Sequence, residues 1–148
     1  MKRFCRASVI LALLSILPRA EAAADLRPVE LHCEFATNPL GIDVAQPRLS
    51  WKLASQARGQ RQTAYQVHVF SRTNLMANAT PDLWDSGKVL TDETGLIRYA
   101  GKALTTSQQV FWSVRVWDQN DQPSPWPDFQ TWTMGLLGTN ALQALWIC

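Results

Sequence analysis

An all-β, antiparallel sandwich is the fold class this sequence predicts, and three observations predict it. Beyond residue 24 the apolar residues recur with a period of two rather than about 3.6, so strands rather than helices bury them. Seven such runs occur, separated by clusters of Pro, Gly, Asn, Asp and Ser. The chain has 148 residues, 47% of them hydrophobic and 18% charged. That is one domain's length, apolar enough to fill a core without disulfides and too poor in charge to be disordered. It is also too short for a TIM barrel, which takes roughly 250 residues.

The elements follow in order. Val29, Leu31, Cys33 and Phe35 alternate with Glu30, His32 and Glu34, a half-buried first strand with the former set inward. Asn38-Pro39-Leu40-Gly41 is a turn cluster. Leu49, Trp51 and Leu53 make the second strand, and residues 55–61 a polar turn. Tyr65, Val67 and Val69 face inward on the third strand, with Gln66, His68 and Phe70 outward. Residues 72–82 break the pattern and have room for a short helical turn. Leu83–Leu90 and Leu96–Ala100 are short strands four and five. Val110, Trp112, Val114 and Val116 alternate with Phe111, Ser113, Arg115 and Trp117 in the sixth strand, the longest. A turn over 118–127 leads to the last strand, Phe129–Met134.

Seven short strands with turn signals between them match an antiparallel seven-stranded immunoglobulin/fibronectin type III-like sandwich. No Cys…Trp…Cys framework exists, which favours the disulfide-free fibronectin variant. An open barrel is the alternative architecture.

Residues 1–24 are read apart from the fold. Lys2, Arg3 and Arg6 precede an apolar run, Ala7–Leu17, and Ala20, Ala22 and Ala24 offer small residues at a cleavage site. This is the pattern of a secretory signal peptide, and the run is too short to span a bilayer. The expected organisation is a signal peptide over 1–24, a sandwich over 25–137, and a linker with the start of a further domain over 138–148. The product is expected to be secreted or periplasmic. The formal charge of +2 belongs to the leader: without it ten basic and eleven acidic residues remain, a net of −1. Nothing then favours nucleic acid or, after cleavage, a membrane as partner.

Chemistry-bearing patterns are scarce. Glycosidic catalysis needs two carboxylates across a cleft. The pairs Asp82/Asp85, Asp92/Glu93 and Asp118/Asp121 all lie at turns, where Asp bonds its own backbone. No Gly-x-Ser-x-Gly, P-loop, dinucleotide fingerprint or Cys-x-x-Cys occurs. His32 and Cys33 are adjacent on a strand, so their side chains point to opposite faces and do not chelate one metal. The reading therefore assigns no catalytic residue, no cofactor and no metal. Cys33 reads as a buried free thiol, with a disulfide to Cys148 as the alternative. Asn78-Ala79-Thr80 is a glycosylation sequon followed directly by Pro81.

Seven tryptophans are the unusual feature. Trp51 and Trp112 point inward by parity, but Trp117 points out with Phe111 and Arg115. In this fold type the third and sixth strands are neighbours. Phe70, Phe111 and Trp117 are therefore expected to form one apolar patch on the outer sheet face. Three uses stand open for it: a domain interface, a sugar or other ligand platform, or a surface covered by the chain's own loops.

Four blocks carry a resemblance. Asn38–Asp43 with Pro47–Trp51, then Gln60–Tyr65, then Leu83–Val89, then Trp112–Asp118 with Pro123, Ser124 and Trp126, are similar in order and spacing to the N-terminal segment of bacterial α-L-rhamnosidases. The resemblance runs from Leu31 to Leu137. It implies a fibronectin type III-like domain ahead of further β-domains and an (α/α)-barrel that holds the catalytic carboxylates. None of that barrel is present, so no catalytic residue carries over. Ala144–Ile147 resembles the first residues of the next β-domain, although Leu142 stands where the family often has Trp. The implied role is a non-catalytic module whose partners are the downstream domains of the same enzyme. A stand-alone module binding rhamnosylated glycans or a protein is the alternative.

Overall fold

The computed structural model describes residues 25–78 and 80–137. The expected leader, Ala79 of the sequon and the tail from Gly138 lie outside the described residues. The described chain forms two sheets packed face to face. Strands β1 (Arg27–Cys33), β2 (Arg48–Ala54) and β6 (Ile97–Arg98) make a three-stranded sheet in the order β1-β2-β6. The second sheet has the order β4-β3-β7-β8, from β4 (Trp84–Asp85), β3 (Ala64–Phe70), β7 (Gln109–Trp117) and β8 (Gln130–Thr133). β5 (Val89–Leu90) also pairs with β3, and every pairing is antiparallel. Two separate sheets make this a sandwich and not the open barrel. A single 3-10 turn, Thr73–Asn78, fills part of the irregular stretch.

The core confirms the parity argument. Tyr65, Val67 and Val69 on β3 face the same interior as Val110, Trp112, Val114 and Val116 on β7, with Trp51 opposite and Trp132 beside them. Trp112 and Trp132 are fully buried, their rings 6.5 Å apart and edge to face. Tyr99 closes the cluster between Trp84 and Trp132 at 5.5 and 5.9 Å. Its hydroxyl donates to the Lys102 carbonyl, and burial, with Asp82 adding to it, pushes its pKa up to about 12. The Trp51 indole donates to Gln62 Oε1 at 3.0 Å, and the Gln62 amide donates in turn to the carbonyls of Thr91 and Glu93. A buried glutamine is tolerated here because its hydrogen-bonding groups are used. Cys33 is a buried free thiol whose pKa burial pushes up to about 12, with Glu34 adding to the effect, which keeps it protonated.

Three expectations are corrected. The run 83–90 is two strands rather than one, because Ser86 interrupts it. The Ser86 hydroxyl accepts from the Val67 amide and its own amide donates to the Val67 carbonyl, while Gly87 takes a left-handed φ of 62°. Val29 is only half-buried, since β1 shifts register between Val29 and His32 and Glu30 takes a φ of 48°. Phe35 is 69% exposed instead of buried. The chain reverses directly after β1: Cys33 and Ala36 exchange both backbone hydrogen bonds, and Glu34 and Phe35 between them have φ of 47° and 66°. That is the pattern of a type I′ turn, which normally takes Asn-Gly. Arg48 offsets the strain. Its backbone amide, Nε and Nη2 all donate to the Glu34 carboxylate, and its guanidinium lies 5.2 Å from the Phe35 ring.

Two substitutions test this packing. Trp112→Ala is expected to cost ~3–5 kcal/mol in urea unfolding, as large core truncations do. Gly101→Ala is expected to cost roughly 1–3 kcal/mol by overpacking. A Cβ there would sit 2.5 Å from both the Leu83 carbonyl oxygen and Trp84 Cβ.

Candidate functional site

The outer face of the five-stranded sheet carries the residues singled out by sequence. β3 and β7 pair in unbroken register, from Ala64 opposite Trp117 through Gln66 opposite Arg115 and His68 opposite Ser113 to Phe70 opposite Phe111. Side chains on one face of such a pair touch across the strands. Phe70, Phe111 and Trp117 therefore lie on one face, as parity requires. They do not form an exposed patch. Phe70 is 1% and Trp117 8% exposed, and Phe111 is half-buried. The β7–β8 connection lays Phe129 on Phe70 and Trp126 on His68, while Lys88 and Arg115 lie over Trp117. Phe70 is thus covered by the chain's own loop and Trp117 by Lys88 and Arg115, while Phe111 stays half-buried.

The cover is pinned by polar bonds at both ends. The Asp118 carboxylate accepts from the Asn120 and Gln122 amides. Ser124 exchanges backbone and hydroxyl bonds with Val116, and the Ser113 hydroxyl donates to the Pro127 carbonyl. Between these pins the rings and cations alternate. Lys88 Nζ lies 4.8 Å from the Trp117 ring, Arg115 Cζ lies 4.8 Å from its centroid, and the same guanidinium is 5.1 Å from Trp126. Trp126 stacks on His68 at 4.2 Å, and Phe129 meets Phe70 edge to face at 5.4 Å. Cations held over indole faces gain from the ring quadrupole, more so when partly desolvated. Sequence reasoning missed this use of Trp126 and Phe129. The signal available was Pro125-Trp126-Pro127, an aromatic set in a stiff turn.

The charges beneath the loop are matched. Arg115 Nε and Nη2 donate to Gln66 Oε1 at 3.0 and 2.8 Å, and Gln66 Nε2 donates to Asp85 Oδ1 at 2.7 Å. Asp85 also accepts from the Gly87 amide. Burial opposes ionisation of Asp85, but these bonds and the nearby His68 and Arg115 outweigh it, and its carboxyl titrates below the usual range. His68 Nε2 is 3.4 Å from Asp85 Oδ1, in ion-pair range but outside hydrogen-bonding geometry. Desolvation lowers the His68 pKa and Arg115 adds to that; Asp85 opposes it without prevailing. His68 is thus held neutral.

The carboxylate pairs serve the backbone and turns. Asp82 accepts from both the amide and the hydroxyl of Ser71, and Asp121 pairs with Lys88. Among the described residues no group of three His, Cys, Asp or Glu side chains is placed to hold a metal ion. An open groove of about 540 Å³ runs between the edge of β1 and the approach to β8. Glu30, His32, Asp128 and Gln130 line it, and no Phe, Tyr or Trp does. Glu30 is paired with Lys52. Among the described residues no helix is long and apolar enough to cross a membrane.

Comparison with known proteins is specific. Residues 28–138 match the family model described as the Rha78A-like, N-terminal immunoglobulin domain. An α-L-rhamnosidase of Streptomyces avermitilis is 46% identical over 122 residues, which are 82% of this chain and 12% of that protein. A solved α-L-rhamnosidase from Dictyoglumus thermophilum superposes with a TM-score of 0.79 at 40% identity, covering 85% of this chain and 14% of that one. The S. avermitilis α-L-rhamnosidase complexed with L-rhamnose gives 0.76 at 45% identity, covering 80% and 11%. The chain therefore spans about an eighth of the length of the relatives it matches.

Two outcomes test the covered face. Arg115→Met is expected to destabilise the fold by ~1–3 kcal/mol, since it loses two ring partners. Hydrogen exchange should speed up across residues 123–129 in that variant. Because His68 binds a proton less readily folded than unfolded, the unfolded chain takes up more protons below pH about 6.5, and stability falls as pH falls through that window. In His68→Gln the slope of stability against pH between about 7 and 5 should flatten; an unchanged slope refutes the assignment.

Proposed function

Since the chain belongs to the family of Rha78A-like N-terminal immunoglobulin domains, we propose that it serves as the non-catalytic leading domain of an exported α-L-rhamnosidase. The whole enzyme would hydrolyse terminal α-L-rhamnose with machinery that lies beyond this module. One observation carries the reading: 46% identity to an α-L-rhamnosidase, confined to 12% of that enzyme's length. The carboxylates support it, since Asp82, Asp85 and Asp118 are engaged in holding turns and the ladder. The module's work is then architectural. It presents a rigid, self-covered body whose partners are the downstream domains of the same enzyme. Export is supported by Lys2, Arg3 and Arg6 ahead of the apolar run Ala7–Leu17, and gives a secreted or periplasmic location.

The reading of Phe70 and Trp117 as a sugar platform loses its motive, because both rings are covered.

The purified chain is expected to release no nitrophenol from a nitrophenyl α-L-rhamnoside; turnover above a blank refutes a non-catalytic role. Expressed with its leader in a bacterial host, the exported product is expected to begin at Ala23 or Asp25. Recovery of an intact Met1 terminus refutes the export reading.

A further inference from the structure

One end of the sandwich gathers four of the six large apolar side chains that are exposed among the described residues. Strands β1, β3 and β8 finish there and β2 and β7 begin. The segment after β8 is not a free linker at this end. Met134 forms a parallel bridge with Ile42, and Gly135 donates to the Ile42 carbonyl. Ser107 donates to the Gly135 carbonyl, and the Leu137 amide donates to the Thr106 hydroxyl. The last described residues are thus laid between two other segments and held on both sides. A Cβ on Gly135 would sit 2.9 Å from the Gly41 carbonyl oxygen, so only glycine allows this approach.

Around that exit the surface is apolar where a monomer's surface is usually polar. Leu40 is 82% exposed, and Val44 and Leu136 are each 43% exposed. Val44 and Leu136 each follow two residues after the bridged pair Ile42 and Met134 in their own segments. Phe35 stands on the same end, 69% exposed on a turn whose two central residues both hold positive φ. Strained backbone that presents a large apolar side chain to water persists where another surface uses it. Of the charged groups nearby, Glu34 and Arg48 neutralise each other, and Asp43 stands exposed between Ile42 and Val44 at the polar margin of the patch.

We infer that this end, built on Leu40, Val44 and Leu136 with Phe35 at its margin, is the seat for the domain that follows Leu137 in the same polypeptide. The occupant is set by where the chain leaves. The backbone is fixed through Leu137 against this surface, so whatever follows emerges beside Leu136 and Val44. After Gly138-Thr139-Asn140 the continuation is mostly apolar, Ala141-Leu142-Gln143-Ala144-Leu145-Trp146-Ile147. The inference rests on the reading of this chain as the leading domain of a longer enzyme.

The test is a chimera in which residues 28–137 replace the matching segment of the S. avermitilis α-L-rhamnosidase, compared with the 148-residue chain by hydrogen exchange. Amides over 39–45 and 134–137 are expected to exchange about tenfold or more slowly in the chimera. Leu40→Asp, Val44→Asp and Leu136→Asp together should restore fast exchange in the chimera and leave the 148-residue chain unchanged. Leu90→Asp, at an exposed position on β5, should do neither. An active chimera whose 39–45 and 134–137 amides exchange as fast as in the chain alone overturns the docking seat and leaves the domain reading standing. A chimera that fails to fold with its native side chains overturns the domain reading, and the seat with it.

Discussion

The pairing of β3 with β7 is the constraint on which the rest of the structure depends. Seven residue pairs run from Ala64–Trp117 to Phe70–Phe111 without a bulge. Because strand side chains alternate, one register decides both faces at once. Inward it sets Tyr65 against Val116, Val67 against Val114 and Val69 against Trp112, and so forms the floor of the core. Outward it sets Gln66 against Arg115 and Phe70 against Phe111. A slip of one residue would bury Arg115 and expose Trp112. The three-stranded sheet then has one way to close the core, with Trp51 over Tyr65 at 5.3 Å.

The outer face shows how a sheet with both sides apolar is made compatible with water. The β7–β8 connection supplies its own cover, and its chemistry suits a surface of mixed character. Apolar rings meet rings at Phe70 and Phe129, while cations fill the spaces between indoles at Trp117 and Trp126. Arg115 remains charged because it is hydrogen-bonded to Gln66 and flanked by rings, and His68 remains neutral because it is desolvated beneath Trp126. The face that looked most available for a ligand is in this way the face most occupied by the protein itself.

Most of the remaining exposed apolar side chains, Phe35, Leu40, Val44, Leu96 and Leu136, lie on loops, with Leu90 on the short strand β5. The turn at Glu34–Phe35 adopts a backbone that glycine and asparagine favour, and its cost is offset by Arg48. The enzymes that share this domain are about eight times longer than the matched segment.

The sequence by itself determined the two-residue period, the inward set on β2, β3 and β7, and the family blocks that surround Trp51, Trp84, Trp112 and Trp126. These are local properties, written in the alternation of neighbouring residues and in turn chemistry. Val29 and Phe35 escaped the same rule because alternation assumes an unbroken strand. A register shift moved the first, and a strained turn held by the distant Arg48 moved the second. Parity placed Phe70, Phe111 and Trp117 correctly on one face but was silent on whether water reached them. That depended on Trp126 and Phe129, which are brought over the sheet by a loop with no period to read. Exposure is a property of what lies above a side chain, and only the tertiary structure decides that, because the covering atoms come from residues that sequence order does not make neighbours.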